Sequence, residues 1–347
     1  MDSTTLTHDV DSILQAASEF ASYPGAVNDA AAKEFVDRCP LTTLFGALQM
    51  EVDVPKLEDT LVACLERIFR TRYGSTLLLQ YVDFIRAGLQ ANSEAIRCLA
   101  CKSIFFILEN MEDKASAVRI LVENNVYALL INCLLDGNEQ TSAASLNAIK
   151  NIAKSPEGIH VVFPSRRDES MQLKNIAGHC SSTARIRILA LISELFSLSE
   201  DIACAIFDSN LLELYEVEIN KRNDTLTVLT ALEILFELAQ SPHGTKFLLK
   251  TSLLQILTDM ISNDAVDSIL RSRALLISGR LFSSADAYKT IDQSWIKVFL
   301  LAIDQRLNKL ESPNNEEVEN ALEAVGLIGS STDGAIFLLA SSSPVVK

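Results

Sequence analysis

Apolar residues recur along most of this chain at intervals of three and four, the spacing of one face of an α-helix. The stretch LTVLTALEILFELAQSPHGTKFLLKTSLLQILTDMIS (226–262) shows the pattern at its clearest. Leu226, Leu229, Leu232, Leu235 and Leu238 fall at helical spacing, and Ala231 and Ala239 leave room for a close neighbour. Ser241 suits a helix N-cap and Pro242 a first helical position, where the missing N–H is no loss. Gly244 permits close packing in the first turn that follows. A short helix over 244–251 and a longer one over 253–261 complete a unit, which "SND" (262–264) closes. No alternating runs flank an Asn-Gly or Asp-Gly turn in the sequence, so the pattern predicts helices and no strands.

The unit repeats. "SPEG" (155–158), "SPHG" (241–244) and "STDG" (331–334) each lie between two apolar segments, spaced 86 and 90 residues apart. Midway between them, near Leu198 and Ser284, the chain again reads apolar helix, polar joint, apolar helix. With IFFILENMEDKASAVRIL (104–121) and LERIFRTRYGSTLLLQYV (65–82), the joints fall near 71, 110, 155, 198, 241, 284 and 331. Stepping by 43 gives columns of one character: Ile152, Leu195, Leu238 and Leu281 apolar; Ala148, Leu191, Ile234 and Ile277 apolar; Asn151, Glu194, Glu237 and Arg280 polar. A period in the low forties is that of armadillo and HEAT helical repeats. The predicted fold is therefore all-α: one armadillo/HEAT-like solenoid over residues 1–347, of about seven repeats. Its least structured pieces are expected at 1–8, 22–29, 163–169, 310–317 and 341–347, each rich in turn residues.

Composition narrows the function. Hydrophobic residues make up 48% of the chain and aromatics only 6%, so the core is aliphatic. The formal net charge of −15 opposes a nucleic-acid-binding surface, which needs clustered cations, and is compatible with a basic protein partner. Seven cysteines, an odd number set mostly in apolar helical patterns, suit small buried hydrophobes in a reducing compartment. The start carries no basic and apolar leader, and no apolar run approaches the about 18 residues of a membrane span. These features predict a cytoplasmic protein, present also in the nucleus.

Candidate chemistry is sparse. Cys98 and Cys101 form a CxxC without a second pair, inside the amphipathic stretch RCLACKSIFFIL, and read as buried structural cysteines. His179 and Cys180 are adjacent, which does not provide the opposition a catalytic couple needs. Phosphate-loop, nucleophile-elbow and zinc-protease motifs are missing from the sequence, and no cofactor is predicted. Trp295, the only tryptophan, is expected to anchor a helix in the core.

LNAIKNIAKSPEGIHVVF, LEILFELAQSPHGTKFLL and ALEAVGLIGSSTDGAIFLL, in this order and spacing, carry a family resemblance, with Val325 to Gly334 its most specific piece. From about residue 60 to 340 the chain resembles the proteasome non-ATPase regulatory subunit 5 family. The resemblance implies a curved helical solenoid without catalysis, an assembly chaperone of the proteasome regulatory particle base. Such a chaperone binds the C-terminal domain of one ATPase subunit, keeps its tail from docking prematurely on the core particle, and leaves when assembly completes. Family members are longer, which implies that the family's C-terminal repeats are missing here and that the last repeat has an uncapped hydrophobic end. "FPSRRDE" (163–169) interrupts where the family continues an apolar helix.

Solenoids bind on the concave face, lined by one helix per unit. Here that is the helix before each joint, and its polar column nominates Asn147, Asn151, Arg187, Glu194, Glu233, Glu237, Arg280 and Glu323 as partner contacts. The expected partner is a proteasome base ATPase subunit, with no nucleic acid, membrane or small-molecule substrate. A generic armadillo-type adaptor or scaffold is the alternative.

Overall fold

The structure, a computed structural model, describes residues 3–49, 54–164, 172–221, 224–241, 243–291, 293–308 and 315–340. The chain divides into two compact units, 1–168 and 169–347, with the division inside the interruption at 163–169. Among the described residues there is no strand.

The first unit runs α1 (Ser3–Ser22), α2 (Asp29–Arg38), α3 (Leu41–Leu48), α4 (Leu57–Phe69), α5 (Arg72–Leu78), a 3-10 turn (Leu79–Tyr81), α6 (Val82–Leu89), α7 (Glu94–Asn110), α8 (Lys114–Glu123), α9 (Val126–Asp136), α10 (Glu139–Ala153) and α11 (Pro156–Val162). Its long helices pack in a ladder, α1 on α4, α4 on α7 and α7 on α10. Short helices form a second row, with α2 on α5 and α8 on α11, and α6 against α9 belongs to a third.

The second unit runs α12 (Leu173–His179), α13 (Ser182–Phe196), α14 (Glu200–Asp208), α15 (Glu213–Ile219), α16 (Thr225–Gln240), α17 (Gly244–Leu248), α18 (Leu253–Ser262), α19 (Ser268–Phe282), α20 (Ala285–Thr290), α21 (Gln293–Asn308), α22 (Asn315–Gly329) and α23 (Thr332–Ala340). It repeats the same three rows: α13, α16, α19 and α22 in the ladder, α17, α20 and α23 in the second, α15, α18 and α21 in the third.

Each unit is thus built of stacked three-helix repeats, the all-α helical-repeat architecture that the periodicity predicts. Both apolar columns lie in the core: Ile152, Leu195, Leu238 and Leu281 are buried, as are Ala148, Leu191, Ile234 and Ile277. Burying one such aliphatic side chain contributes about 1.5–3 kcal/mol. Leu226 departs from expectation and is 75% exposed. A spacing of three drifts by about 60° per step against the 3.6-residue turn, so a run of five leucines leaves the core stripe.

The joints explain the recurring tetrapeptide. The hydroxyls of Thr71, Ser155 and Ser331 each accept from the N–H of the glycine three residues on, at 3.0 Å. Each glycine is pressed against the carbonyl six residues upstream. A Cβ on Gly74, Gly244 or Gly334 would stand 2.0, 1.9 or 2.0 Å from the oxygen of Ile68, Leu238 or Ile328. Thr71-Arg72-Tyr73-Gly74 is therefore a fourth copy. At Asp113 and Ser199 the turn holds three residues instead of two, and the capped N–H belongs to Ser116 and Ile202 rather than glycine. Ser241 is not the cap expected of it: α17 starts at Gly244, and the Ser241 hydroxyl donates back to Leu238 O at 2.7 Å. Pro242 lies outside the described residues.

The N-terminal end also differs from expectation. Residues 3–8 are helical, and α1 is one more long helix, joined to α2 by the expected turn at 23–28. Arg67 ties that turn down, donating to Ala21 O at 2.5 Å and Gly25 O at 2.6 Å. The expected loose segments at 163–169 and 310–317 fall largely, and 341–347 wholly, outside the described residues.

Polar contacts between repeats carry the period as well. Tyr73 N–H donates to Asp29, Asn138 N–H to Glu94, Arg306 to Ile261 O and Arg271 to Glu317, across 44, 44, 45 and 46 residues. Glu317 takes Arg271 through two bonds of 2.8 and 3.0 Å, which holds the guanidinium above its ordinary pKa.

Cys39, Cys64, Cys98, Cys101 and Cys133 are buried, Cys180 is half-buried and Cys204 exposed. Trp295 is half-buried. Among the described residues no single helix is long and apolar enough to cross a membrane.

Candidate protein-binding surfaces

All eight nominated residues lie on long helices: Asn147 and Asn151 on α10, Arg187 and Glu194 on α13, Glu233 and Glu237 on α16, Arg280 on α19 and Glu323 on α22. Asn147, Glu194, Glu237 and Glu323 are exposed; Arg187, Glu233 and Arg280 are half-buried.

Asn151 is a correction. It was expected in the exposed column, yet only 5% of it reaches solvent. Its amide donates to Glu109 Oε2 of α7 at 3.2 Å. The neighbouring helix packs closely there and its carboxylate covers the amide, so Asn151 joins two ladder helices instead of facing a partner.

In the first unit, Asn147 lies at a cleft of about 570 Å³ across α4, α7 and α10. Phe105 and Phe106 of α7 line it, their rings edge to face at 5.8 Å between centroids. Arg70 and Lys102 stand at its rim and share one carboxylate: Glu66 receives Arg70 at 3.0 Å and Lys102 at 2.9 Å. The Arg70 guanidinium also lies 5.8 Å from the Phe106 ring centre, a cation–π distance. Two cations against one anion leave this cleft with surplus positive charge in a chain of net charge −15. An aromatic wall, two guanidinium or ammonium groups and a side-chain amide can receive an extended or helical segment bearing carboxylates.

The sequence reading missed Arg70, Lys102 and Phe105. A signal existed. The bonds Asn151–Glu109 and Cys98–Gln140 both span 42 residues, and a step of 42 back from Asn147 reaches Phe105. The step of 43 used for the columns slips past it by one.

In the second unit, Glu233 is paired rather than open. Arg273 of α19 reaches it at 2.6 Å and lies over the Phe236 ring at 5.4 Å. The ladder there presents both signs of charge. Beneath it, Glu218 is 1% exposed and is held by Arg185 at 3.0 Å and Lys221 at 2.7 Å. A cleft of about 660 Å³ at α15, α16, α18 and α19 is lined by Val228, Met260 and Leu270 with Lys221, Asp259 and Asp267. Among the described residues, no group of three or more His, Cys, Asp or Glu side chains is placed to hold a metal.

The family described as "Proteasome non-ATPase 26S subunit" matches residues 6–345, nearly the whole chain. The chain belongs to this family. Among curated relatives it is similar to the 26S proteasome non-ATPase regulatory subunit 5 of Mus musculus, 23% identical over 275 residues. The Homo sapiens protein of the same name is 22% identical over an equal stretch. Each match covers 79% of this chain and 52% of the relative, so the chain spans about half the length of the relatives it matches. Solved structures similar to it include an engineered protein (18% identity, 95% of this chain and 80% of that one, TM-score 0.46). Computationally designed armadillo repeat proteins for modular peptide recognition are also similar (17% identity, 68% and 94%, TM-score 0.44).

Proposed function

We propose that this member of the proteasome non-ATPase 26S subunit family is an assembly chaperone of the regulatory particle base. In this reading it binds the C-terminal domain of one ATPase subunit and keeps that subunit from docking prematurely on the core particle. The observation that carries the reading is the family match over residues 6–345. The architecture supports it, because stacked helical repeats offer extended surfaces to a protein partner. The cleft at Phe105, Lys102 and Asn147 supplies an aromatic and cationic contact, and the exposed Glu194, Glu237 and Glu323 supply acidic ones. The role needs no cofactor and no catalytic group: the protein acts by occupying a surface. It works in the cytosol, where unbridged cysteines persist.

The test is a pull-down with the chain as bait from a reducing cytosolic extract, read by mass spectrometry. One or two proteasome ATPase subunits recovered without the mature core particle is the expected result. Recovery of other proteins with no proteasome subunit would overturn the chaperone reading and leave an armadillo-type adaptor.

A further inference from the structure

The cleft of the second unit lies where two successive repeats meet. The last turns of α15 and α18 and the first turns of α16 and α19 surround it, and Val228, Ile256, Met260 and Leu270 give it an apolar floor. Its volume is about 660 Å³. Helix ends make it favourable to a cation. α15 and α18 bring their C-terminal ends, where unpaired carbonyls concentrate partial negative charge. α16 and α19 bring N-terminal ends, which would oppose a cation, but an aspartate caps each of them, Asp224 and Asp267.

The lip repeats with the period. Asp224 and Asp267 are 43 residues apart, and so are Leu226 and Ile269. Both carboxylates are exposed, and Leu226 and Ile269 are 75% and 40% exposed. One repeat back, at the start of α13, Ser181 and Thr183 hold these two positions. α16 and α19 pack side by side, so the two aliphatic groups stand about 8–10 Å apart, the spacing of neighbouring helices. The charge is one-sided. Residues 219–228 and 256–270 hold four aspartates against Lys221 and Arg222. Lys221 is held by the buried Glu218, and Asp264 is taken by Arg306. Asp224, Asp259 and Asp267 form no ion pair among the described residues.

We propose that this cleft and its lip are a docking surface, and that the occupant is a segment of a partner protein in which Lys or Arg residues flank large aliphatic side chains. The aliphatic groups cover Leu226, Ile269 and the apolar floor, and the cations meet Asp224, Asp259 and Asp267. Charge complementarity sets the choice of occupant. The aliphatic lip distinguishes the surface from a solvated acidic face: a leucine and an isoleucine exposed at one position on adjacent helices bring apolar area that a partner can bury. A rim of one sign also rejects acidic segments, the kind that the first unit's cleft at Arg70 and Lys102 would accept.

The experiment titrates the full chain into three short fluorescein-labelled peptides, read by anisotropy. One carries two Lys-Leu pairs in a Gly/Ser background. Another has Glu in place of Lys, and the third has Ser in place of Leu. The Lys-Leu peptide is expected to bind, and the other two roughly tenfold more weakly or less. Asp259→Lys and Leu226→Ser change exposed side chains outside the helix caps, and circular dichroism confirms their folding. Each is expected to weaken the Lys-Leu peptide by roughly five- to tenfold, and added salt to weaken it further. No binding of the Lys-Leu peptide, equal binding of the Glu peptide, or an affinity that neither variant moves would each overturn the proposal. The titration contains no proteasome subunit, so its outcome is independent of the pull-down.

Discussion

Gly158 lies beneath the carbonyl of Ile152, and a Cβ on it would stand 1.7 Å from that oxygen. The contact is backbone to backbone, so no side-chain rotation relieves it. Gly158→Ala is expected to lower stability by about 1–3 kcal/mol or more. Gly46→Ala, in the middle of α3 with open space around it, is expected to raise stability by about 0.5–1 kcal/mol. Urea unfolding followed by circular dichroism measures both. Equal effects at the two sites would mean that the joint glycine is not sterically required.

The helix caps predict a pH dependence. Asp113 and Asp224 accept from Ser116 and Thr227, and these side-chain hydrogen bonds hold both carboxyls below their ordinary pKa. A depressed carboxyl contributes stability above its unfolded value of about 4, and the contribution is lost as pH falls through the lower folded value. Asp224→Asn keeps the cap acceptor but cannot titrate. Wild type should therefore lose melting temperature relative to this variant as the solution is acidified, while their difference stays constant above neutrality. Parallel curves down to strong acid would contradict the assignment.

Thiol labelling should follow burial. Cys204 is exposed and Cys180 half-buried, while burial pushes the Cys64 thiol up to about 12, and the hydrogen bond with Cys133 together with burial raises Cys101 strongly. Peptide mapping after brief maleimide treatment at neutral pH is expected to find Cys204 modified first and Cys180 next. Cys39, Cys64, Cys98, Cys101 and Cys133 should react only as the chain unfolds. Early labelling of Cys64 or Cys101 would show that the first unit opens more readily than its packing implies.

The cleft of the first unit and the buried amide beside it make opposite predictions. Lys102→Glu with Phe105→Ala is expected to weaken partner binding by about 2 kcal/mol or more without unfolding the chain, as for a desolvated aromatic and cationic contact. Asn151→Ala is expected to cost about 1 kcal/mol of stability through the lost bond to Glu109 and to leave affinity unchanged. Calorimetric titration of the captured partner, set against thermal melting, separates the two. Loss of affinity in Asn151→Ala alone would return that residue to the contact surface.

The helical rows were legible because burial repeats. Ile152, Leu195, Leu238 and Leu281 occupy one position in successive repeats, and a constant step finds them. Leu226 was misread because a step of three drifts off the core stripe of its own helix, and Asn151 for a different reason. A residue type at helical spacing says which way a side chain leaves its own helix, and only the neighbouring helix decides what covers it. Arg70 and Lys102 were invisible to a column search because Arg70 meets Glu66 one helical turn along its own segment, and Lys102 meets it from α7 across 36 residues rather than 43. The glycine joints were visible as a motif, but its cause was not. The carbonyl that excludes a Cβ belongs to the preceding helix and appears only once the turn is built.

The polar bonds that span 44, 44, 45 and 46 residues have a kinetic meaning. In each compact unit these bonds tie a repeat to the one beside it, and among the described residues they join no repeats farther apart. Ordering one repeat then requires only its neighbour, so loop closure never spans more than about one period. Folding can spread from any repeat as a moving front, and unfolding can retreat the same way from an end. The protein is thereby elastic in steps. Under pulling force each unit should lengthen in a staircase of nearly equal extensions, one for every repeat released.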